Sequence, residues 1–73
     1  IIGDNVHIAP GVVLSGGVKV GDSSHVGTGS SVIQYIEIGK DTIIGAGSVV
    51  TKNVKSGVVA YGNPCRIVRK NNG

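Results

Sequence analysis

The chain has 73 residues, a formal net charge of +3 and a single cysteine. This length allows one domain at most, and one cysteine excludes an internal disulfide, which suits a cytoplasmic protein. With 13 glycines and no Phe, Trp or Met, the composition favours strands and turns over a helical bundle. We expect no nucleic-acid partner, because there is no basic stripe, and no membrane span, because no run of about 20 apolar residues is present.

A six-residue repeat runs from residue 2 to residue 55. The first residue of every hexad is aliphatic: Ile2, Ile8, Leu14, Val20, Val26, Val32, Ile38, Ile44 and Val50. Side chains alternate between the two sides of a strand, so the fifth residue and the next first residue should point inward, and the sixth residue between them should point outward. A period of six held over this length is typical of a parallel β-helix, whose stacked coils bury a continuous aliphatic column.

Three hexads make one triangular coil, which predicts coils at 2–19, 20–37 and 38–55. The outward residues then form three columns: His7, His25 and Ile43; Val13, Ser31 and Val49; Lys19, Glu37 and Lys55. The third column is expected to be a solvated ladder of charges. The apolar members of the other two columns predict a surface that another chain covers, and a closed ring such as a homotrimer is the simplest way to cover it.

The hexad register ends at Lys55. Residues 56–73 are predicted to add one short strand at 58–61 and, after a Gly-Asn-Pro break, a last strand or a short capping helix at 66–70. Residues 71–73 should fray. Because the sequence begins inside a repeat and solenoids need terminal caps, we expect an upstream part in a longer protein.

Four segments resemble the hexapeptide-repeat acyltransferases: Val-Gly-Asp at 20–22, Ile-Gly-Lys-Asp at 38–41, Ile-Gly-Ala-Gly-Ser-Val-Val-Thr-Lys at 44–52 and Gly-Asn-Pro-Cys-Arg-Ile-Val at 62–68. The segments at 6–11, 14–21 and 31–34 look like the branch of sialic-acid O-acetyltransferases and bacterial sugar N-acetyltransferases. This resemblance implies an all-β fold, a left-handed parallel β-helix of about three coils with a C-terminal cap. It also implies a homotrimer with acetyl-CoA in the groove between neighbouring copies.

The resemblance implies an acetyl-CoA-dependent acetyltransferase domain that acts on the amine or hydroxyl of a sugar or nucleotide sugar. His7 matches a residue that contacts acetyl-CoA near its thioester, and Gly16 matches a glycine whose amide faces the thioester carbonyl. Thr28 and Ala46 match positions whose main chain borders the pantetheine arm. The general base of the family would lie upstream of Ile1, so we expect no catalytic residue in this chain, which alone should be inactive; His7 is the alternative base.

Several residues keep two interpretations. Arg66 and Lys52 either meet the phosphates and adenosine of the cofactor or are solvated cations. A zinc site needs about three convergent ligands, and His7, His25 and the nearby Asp22 are only a weak candidate set, so no metal is expected. Cys65 is expected to be a small packed side chain. A trimerising structural β-helix without catalysis, or an inactive paralogue, stays open as an alternative function.

Overall fold

The computed structural model describes residues 1–71, which fold entirely into strands and turns. Within them, the strands are β1 (His7–Ile8), β2 (Val13–Leu14), β3 (Lys19–Val20), β4 (His25–Val26), β5 (Ser31–Val32), β6 (Glu37–Ile38), β7 (Ile43–Ile44), β8 (Val49–Val50), β9 (Val58–Gly62) and β10 (Cys65–Lys70). This described part has no helix of the length and apolarity that a membrane crossing needs.

The strands form three sheets, which are the three sides of a prism. Side A contains β1, β4, β7, β9 and β10 in that order, side B contains β2, β5 and β8, and side C contains β3 and β6. Neighbouring strands of the first coils are parallel and 18 residues apart, as in the pairing of His7 with His25 and of Val13 with Ser31. The predicted all-β parallel β-helix is therefore confirmed, and its stacking is consistent with the left-handed coil of the resemblance.

The core is the aliphatic column that the hexad pattern predicts. Its buried members are Val18, Val20, Val26, Val32, Ile36, Ile38, Ile44, Val50, Val54, Val58 and Ala60. The sixth residues face outward: His7, Lys19, His25 and Glu37 are all exposed. Burial is complete in the middle and upper coils, where Val26 and Ile44 have no exposed surface, and weaker in the first coil, where Ile2 is 46% exposed.

Buried hydroxyls among the fifth residues satisfy the peptide groups of the turns. The Ser24 hydroxyl donates to the Gly39 carbonyl at 2.7 Å and accepts from the Thr42 amide at 3.1 Å. Ser30 makes the equivalent pair of bonds one side further along the chain. Because buried polar groups cost free energy unless they are hydrogen-bonded, these hydroxyls allow the turns to pack tightly.

Three corners join the sides, and we name them by their residues: corner I (3–5, 21–23, 39–41), corner II (9–11, 27–29, 45–47) and corner III (15–17, 33–35, with 51–52 turning the third coil). The fourth residue of each of the first eight hexads has a left-handed backbone, with φ between 52° and 76°: Asn5, Gly11, Gly17, Ser23, Gly29, Tyr35, Asp41 and Gly47. Amides at the corners donate to the coil below, as in the bond from Gly29 to the Pro10 carbonyl at 3.1 Å.

The third coil departs from the predicted register. Ile38 bridges Val54, which is 16 residues ahead rather than 18. The third coil therefore turns corner III with two residues fewer, and Val54 occupies the place of a first residue. The predicted column of Lys19, Glu37 and Lys55 is wrong at its last member, because Asn53 lies beside Glu37 and accepts from the Glu37 amide at 2.9 Å.

A hairpin covers the upper end of side A. β9 continues the side parallel to β7, and β10 returns antiparallel to β9, with Arg66 directly opposite Tyr61. Of the two alternatives for residues 66–70, the strand is confirmed. Fraying does not begin at Asn71, whose amide donates to the Gly57 carbonyl at 2.8 Å; the rest of that prediction, on 72–73, lies outside the described residues.

Candidate functional site

The outer surface of side A carries the two histidines. His7 pairs with His25, and their rings stack with centroids 4.6 Å apart and an interplanar angle of 22°. Ile43, 36% exposed, continues the same column in the third coil. Both imidazoles are exposed, so their nitrogens can donate hydrogen bonds to a ligand on this side or accept them from it.

Corner II borders side A where β1, β4 and β7 end, and it contains two of the predicted cofactor residues. Thr28 and Ala46 lie one coil apart, because the Gly47 amide donates to the Thr28 carbonyl at 2.8 Å. A Cβ added at Gly29 or Gly47 would meet no atom within 4 Å. Corner II is therefore an open edge without bulky side chains, along which main chain is accessible.

Glycines behind this edge let the coils approach one another closely. A Cβ at Gly27 would lie 2.6 Å from the Ala46 nitrogen, and a Cβ at Gly45 would lie 2.7 Å from the Cβ of Tyr61. No side chain fits at either position without moving backbone. The coils are consequently packed closely at corner II, and Tyr61 covers its upper end.

Gly16 lies at corner III, apart from the other predicted cofactor residues. Its carbonyl accepts from the Tyr35 amide at 2.9 Å, and a Cβ at Gly16 would meet nothing within 4 Å. Side B separates corner III from corner II, and its outer residues include Val13, which is 58% exposed. The structure thus places His7 beside corner II, where Thr28 and Ala46 lie. Within one chain, it leaves Gly16 apart from these residues.

The two predicted phosphate contacts lie at the upper end of the prism. Arg66 is exposed and directly opposite Tyr61, so both side chains project from the same face of the hairpin above corner II. Lys52 is exposed at the turn of the third coil, on the same corner as Gly16. Both cations are solvent-accessible.

Cys65 is a free, half-buried thiol beside the core. Burial raises the pKa of this thiol, and a hydrogen bond with Ser48 opposes the rise. Its packing agrees with the expected structural role. Among residues 1–71, no group of three His, Cys, Asp or Glu side chains is arranged to hold a metal ion.

An open groove of about 670 Å³ lies on side C, away from His7 and corner II. Its walls include Lys19 and Glu37, which form an ion pair at 3.7 Å with both side chains more than half exposed. Such a pair is worth little in water, and the groove contains none of the predicted cofactor residues. We therefore place the candidate site on side A and corner II, where main chain and imidazole are both accessible.

Sequence comparison identifies one family. The family described as bacterial transferase hexapeptide (six repeats) matches residues 1–34 and 17–52. No curated protein matches the chain significantly.

Solved structures match most of the chain. PerB from Caulobacter crescentus, in complex with CoA and GDP-perosamine, is 42% identical with a TM-score of 0.90, covering 92% of this chain and 32% of PerB. The acetyltransferase domain of PglB from Neisseria gonorrhoeae FA1090, in complex with acetyl coenzyme A, is 36% identical with a TM-score of 0.85, covering 86% and 31%. A galactoside acetyltransferase in complex with coenzyme A is 36% identical with a TM-score of 0.94, covering 97% and 44%. The chain thus spans about a third to less than half of these proteins.

Proposed function

Because the chain belongs to the bacterial transferase hexapeptide family, we propose that it is the acetyl-CoA-binding part of an acetyltransferase that acts on a sugar or nucleotide sugar. PerB binds CoA with GDP-perosamine, and the acetyltransferase domain of PglB binds acetyl coenzyme A. A GDP-perosamine N-acetyl transferase from Caulobacter crescentus is among the similar proteins, and N-acetyl transfer favours an amine as acceptor over a hydroxyl. The free Cys65 suits a cytoplasmic location, which we include in the proposal.

The observation that carries the proposal is the open edge of corner II beside His7. An extended arm can lie along this edge in contact with main chain at Thr28 and Ala46, since the glycines that follow them, Gly29 and Gly47, have open space around them. His7 then faces the acyl end at the first coil, and Arg66 faces the phosphate-bearing end at the hairpin. From β1 to β10 there are four strand spacings of about 4.8 Å, so the surface is roughly 19 Å long.

Gly16 joins this surface only if a second copy contributes it. We propose a homotrimer in which corner III of one copy faces corner II of its neighbour, so that the cofactor lies in the groove between them. The exposed Val13 and the half-buried Val49 on side B support this arrangement, because outward apolar side chains are typical of a covered surface. Closed rings cover such a surface in every copy.

In the proposed reaction, the acceptor amine attacks the thioester carbonyl, the carbonyl oxygen gains negative charge, and CoA leaves as the thiolate. The Gly16 N–H is the donor we assign to that oxygen, and the adjoining Gly16–Gly17 peptide is held through the Gly16 carbonyl, which accepts from the Tyr35 amide at 2.9 Å. A donor fixed in advance stabilises the developing charge without reorganisation. His7 hydrogen-bonds near the thioester, and the base that removes the amine proton lies, in this proposal, upstream of Ile1.

Calorimetric titration of the protein with CoA tests the proposal. Ala46→Leu should fill the open edge of corner II and weaken CoA binding by about tenfold or more, a loss of about 1.4 kcal/mol or more. Lys40→Leu places the same side chain at the equivalent exposed position of corner I and should change the affinity less than about twofold. Equal affinities for the two variants, or no CoA binding by the wild type, would contradict the proposal.

A further inference from the structure

Tyr35 is the bulky exception among the left-handed corner residues. Its φ is 63°, whereas the other positions of this kind hold Gly, Asn, Ser or Asp. Left-handed backbone is a genuine outlier for a bulky side chain, because Cβ then lies too close to the following carbonyl. The side chain is also 75% exposed, so burial does not offset this strain. The fold requires a left-handed backbone at position 35 but not a bulky residue there, and strain that could be avoided is a reason to look for a function.

The ring of Tyr35 lies over Gly17, the residue that follows Gly16. A Cβ at Gly17 would be 2.5 Å from Cδ1 and 2.8 Å from Cε1 of the ring, so the ring covers Gly17 directly. The Tyr35 amide donates to the Gly16 carbonyl at 2.9 Å, which fixes the two residues relative to each other. The position of a Gly16 Cβ stays open. The ring is therefore a wall at one side of the accessible Gly16 peptide.

Tyr35 also lies on the course of the proposed cofactor. In the proposed function, the acyl end is at the first coil with Gly16, and the arm passes Thr28 in the second coil and Ala46 in the third. Tyr35 belongs to the second coil of corner III, which is the level of Thr28 on the opposite wall of the groove. An aromatic face exposed there can pack against the methylene and amide groups of the arm.

We propose that Tyr35 is a binding residue for the acyl donor, packing against the pantetheine arm next to the thioester. The inference rests on the proposed function. It adds that the aromatic contact to the cofactor comes from corner III of the neighbouring copy. The ring would also exclude water from the Gly16 amide, and hydrogen bonds to a developing oxyanion are stronger where water is excluded. The substrate class is an acyl thioester of CoA.

The test uses Tyr35→Gly and Tyr35→Phe in the same protein. Glycine accepts the left-handed backbone, so Tyr35→Gly should fold with an unchanged or higher melting temperature and yet bind CoA about tenfold more weakly. Tyr35→Phe keeps the ring and should bind CoA within about twofold of the wild type. Ser23→Gly makes the same backbone change at corner I and should leave CoA affinity unchanged.

Three results would overturn the inference. Equal CoA affinity of the wild type and Tyr35→Gly would show that the ring does not contact the cofactor, while wild-type binding would leave the proposed function standing. Weaker assembly of Tyr35→Gly in sedimentation analysis would assign the ring to a contact between copies. A melting temperature of Tyr35→Gly clearly below that of the wild type would assign it to the fold.

Discussion

The first and third coils repeat the same hexad, yet they bury it to different extents. Ile44 in the third coil has no exposed surface, whereas Ile8 at the same position of the first coil is only partly buried and Ile2 is 46% exposed. The third coil is covered from both sides, by the second coil and by the hairpin of β9 and β10, and the first coil is covered from one side. The hexad thus determines whether each side chain points inward or outward. The neighbouring coils determine how much the burial of that side chain stabilises the fold.

This difference matters for the candidate site, because the site extends over both coils. His7 and Gly16, which we assign to the acyl end, lie on the partly covered first coil. Ala46 is an exposed residue of the third coil, next to Gly45, which Tyr61 covers. The end of the proposed cofactor surface at Ala46 is therefore firmly held from both sides. The end at His7 and Gly16 is less supported.

Paired core truncations give the largest expected contrast between the coils. Ile44→Ala should lower the free energy of unfolding by about 3 to 4 kcal/mol, because it leaves a cavity in a fully packed layer. Ile8→Ala occupies the same hexad position and should cost about 1 to 2 kcal/mol, because less apolar surface is lost. Both values can be measured by urea denaturation, and equal losses would contradict the difference in packing.

Removal of an inner hydroxyl should have a smaller effect. Ser24→Ala leaves the Gly39 carbonyl and the Thr42 amide without their partner between the second and third coils. Unsatisfied buried groups of this kind cost about 1 to 3 kcal/mol in unfolding free energy. Amide hydrogen exchange should show the loss of protection concentrated at Thr42; unchanged protection there would mean that the hydroxyl does not support the turn.

His7→Ala tests the less supported end of the site through activity. Because His7 is exposed, its removal should change the free energy of unfolding by less than about 0.5 kcal/mol. The KM for acetyl-CoA in the complete enzyme should rise about three- to tenfold while turnover at saturating cofactor persists, since His7 is assigned to binding. His25→Ala, which removes the stacked partner, is the matched control and should have the weaker effect. Complete loss of turnover at saturating acetyl-CoA would instead make His7 the general base.

The smallest effect is expected at Cys65, the first residue of β10 in the hairpin. Burial raises the pKa of its thiol above that of the unfolded chain, so the folded state holds the proton to higher pH than the unfolded state does. The contribution of Cys65 to the free energy of unfolding should therefore be fully present below the ordinary thiol pKa of about 8.5. It should decline as the pH rises above that value. Cys65→Ala should remove this part of the alkaline decline; an identical pH profile for both proteins would contradict the assigned burial.

The sequence alone predicts the strand positions of the first eight hexads and the pairing of His7 with His25, because period and alternation determine them. It does not predict the shortened turn after Val50. Val54 is aliphatic and inward both as the fifth residue of a full hexad and as the first residue of a shortened one, so the apolar pattern does not distinguish these registers. Residues 66–70 alternate weakly, and only their pairing with β9 selects a strand.

The candidate site is predictable in part for a similar reason. Thr28 and Ala46 share a corner because they are 18 residues apart, which the period requires. The position of Gly16 on another corner also follows from the period, but the groove that would join it to corner II depends on a second copy. The division into coils at 1–55 and a cap at 56–73, the upstream base and the trimer stay predictions.

Residue-specific chemical shifts during a CoA titration test the central claim most directly, because they report both the firmly held and the less supported end of the surface. The account predicts saturable shifts for the amides of Thr28 and Ala46 at corner II and for His7 and Gly16 at the first coil. Lys19 and Glu37, on side C, should not shift. Shifts confined to side C, or none at millimolar CoA, would contradict the assignment of this surface to an acyl donor.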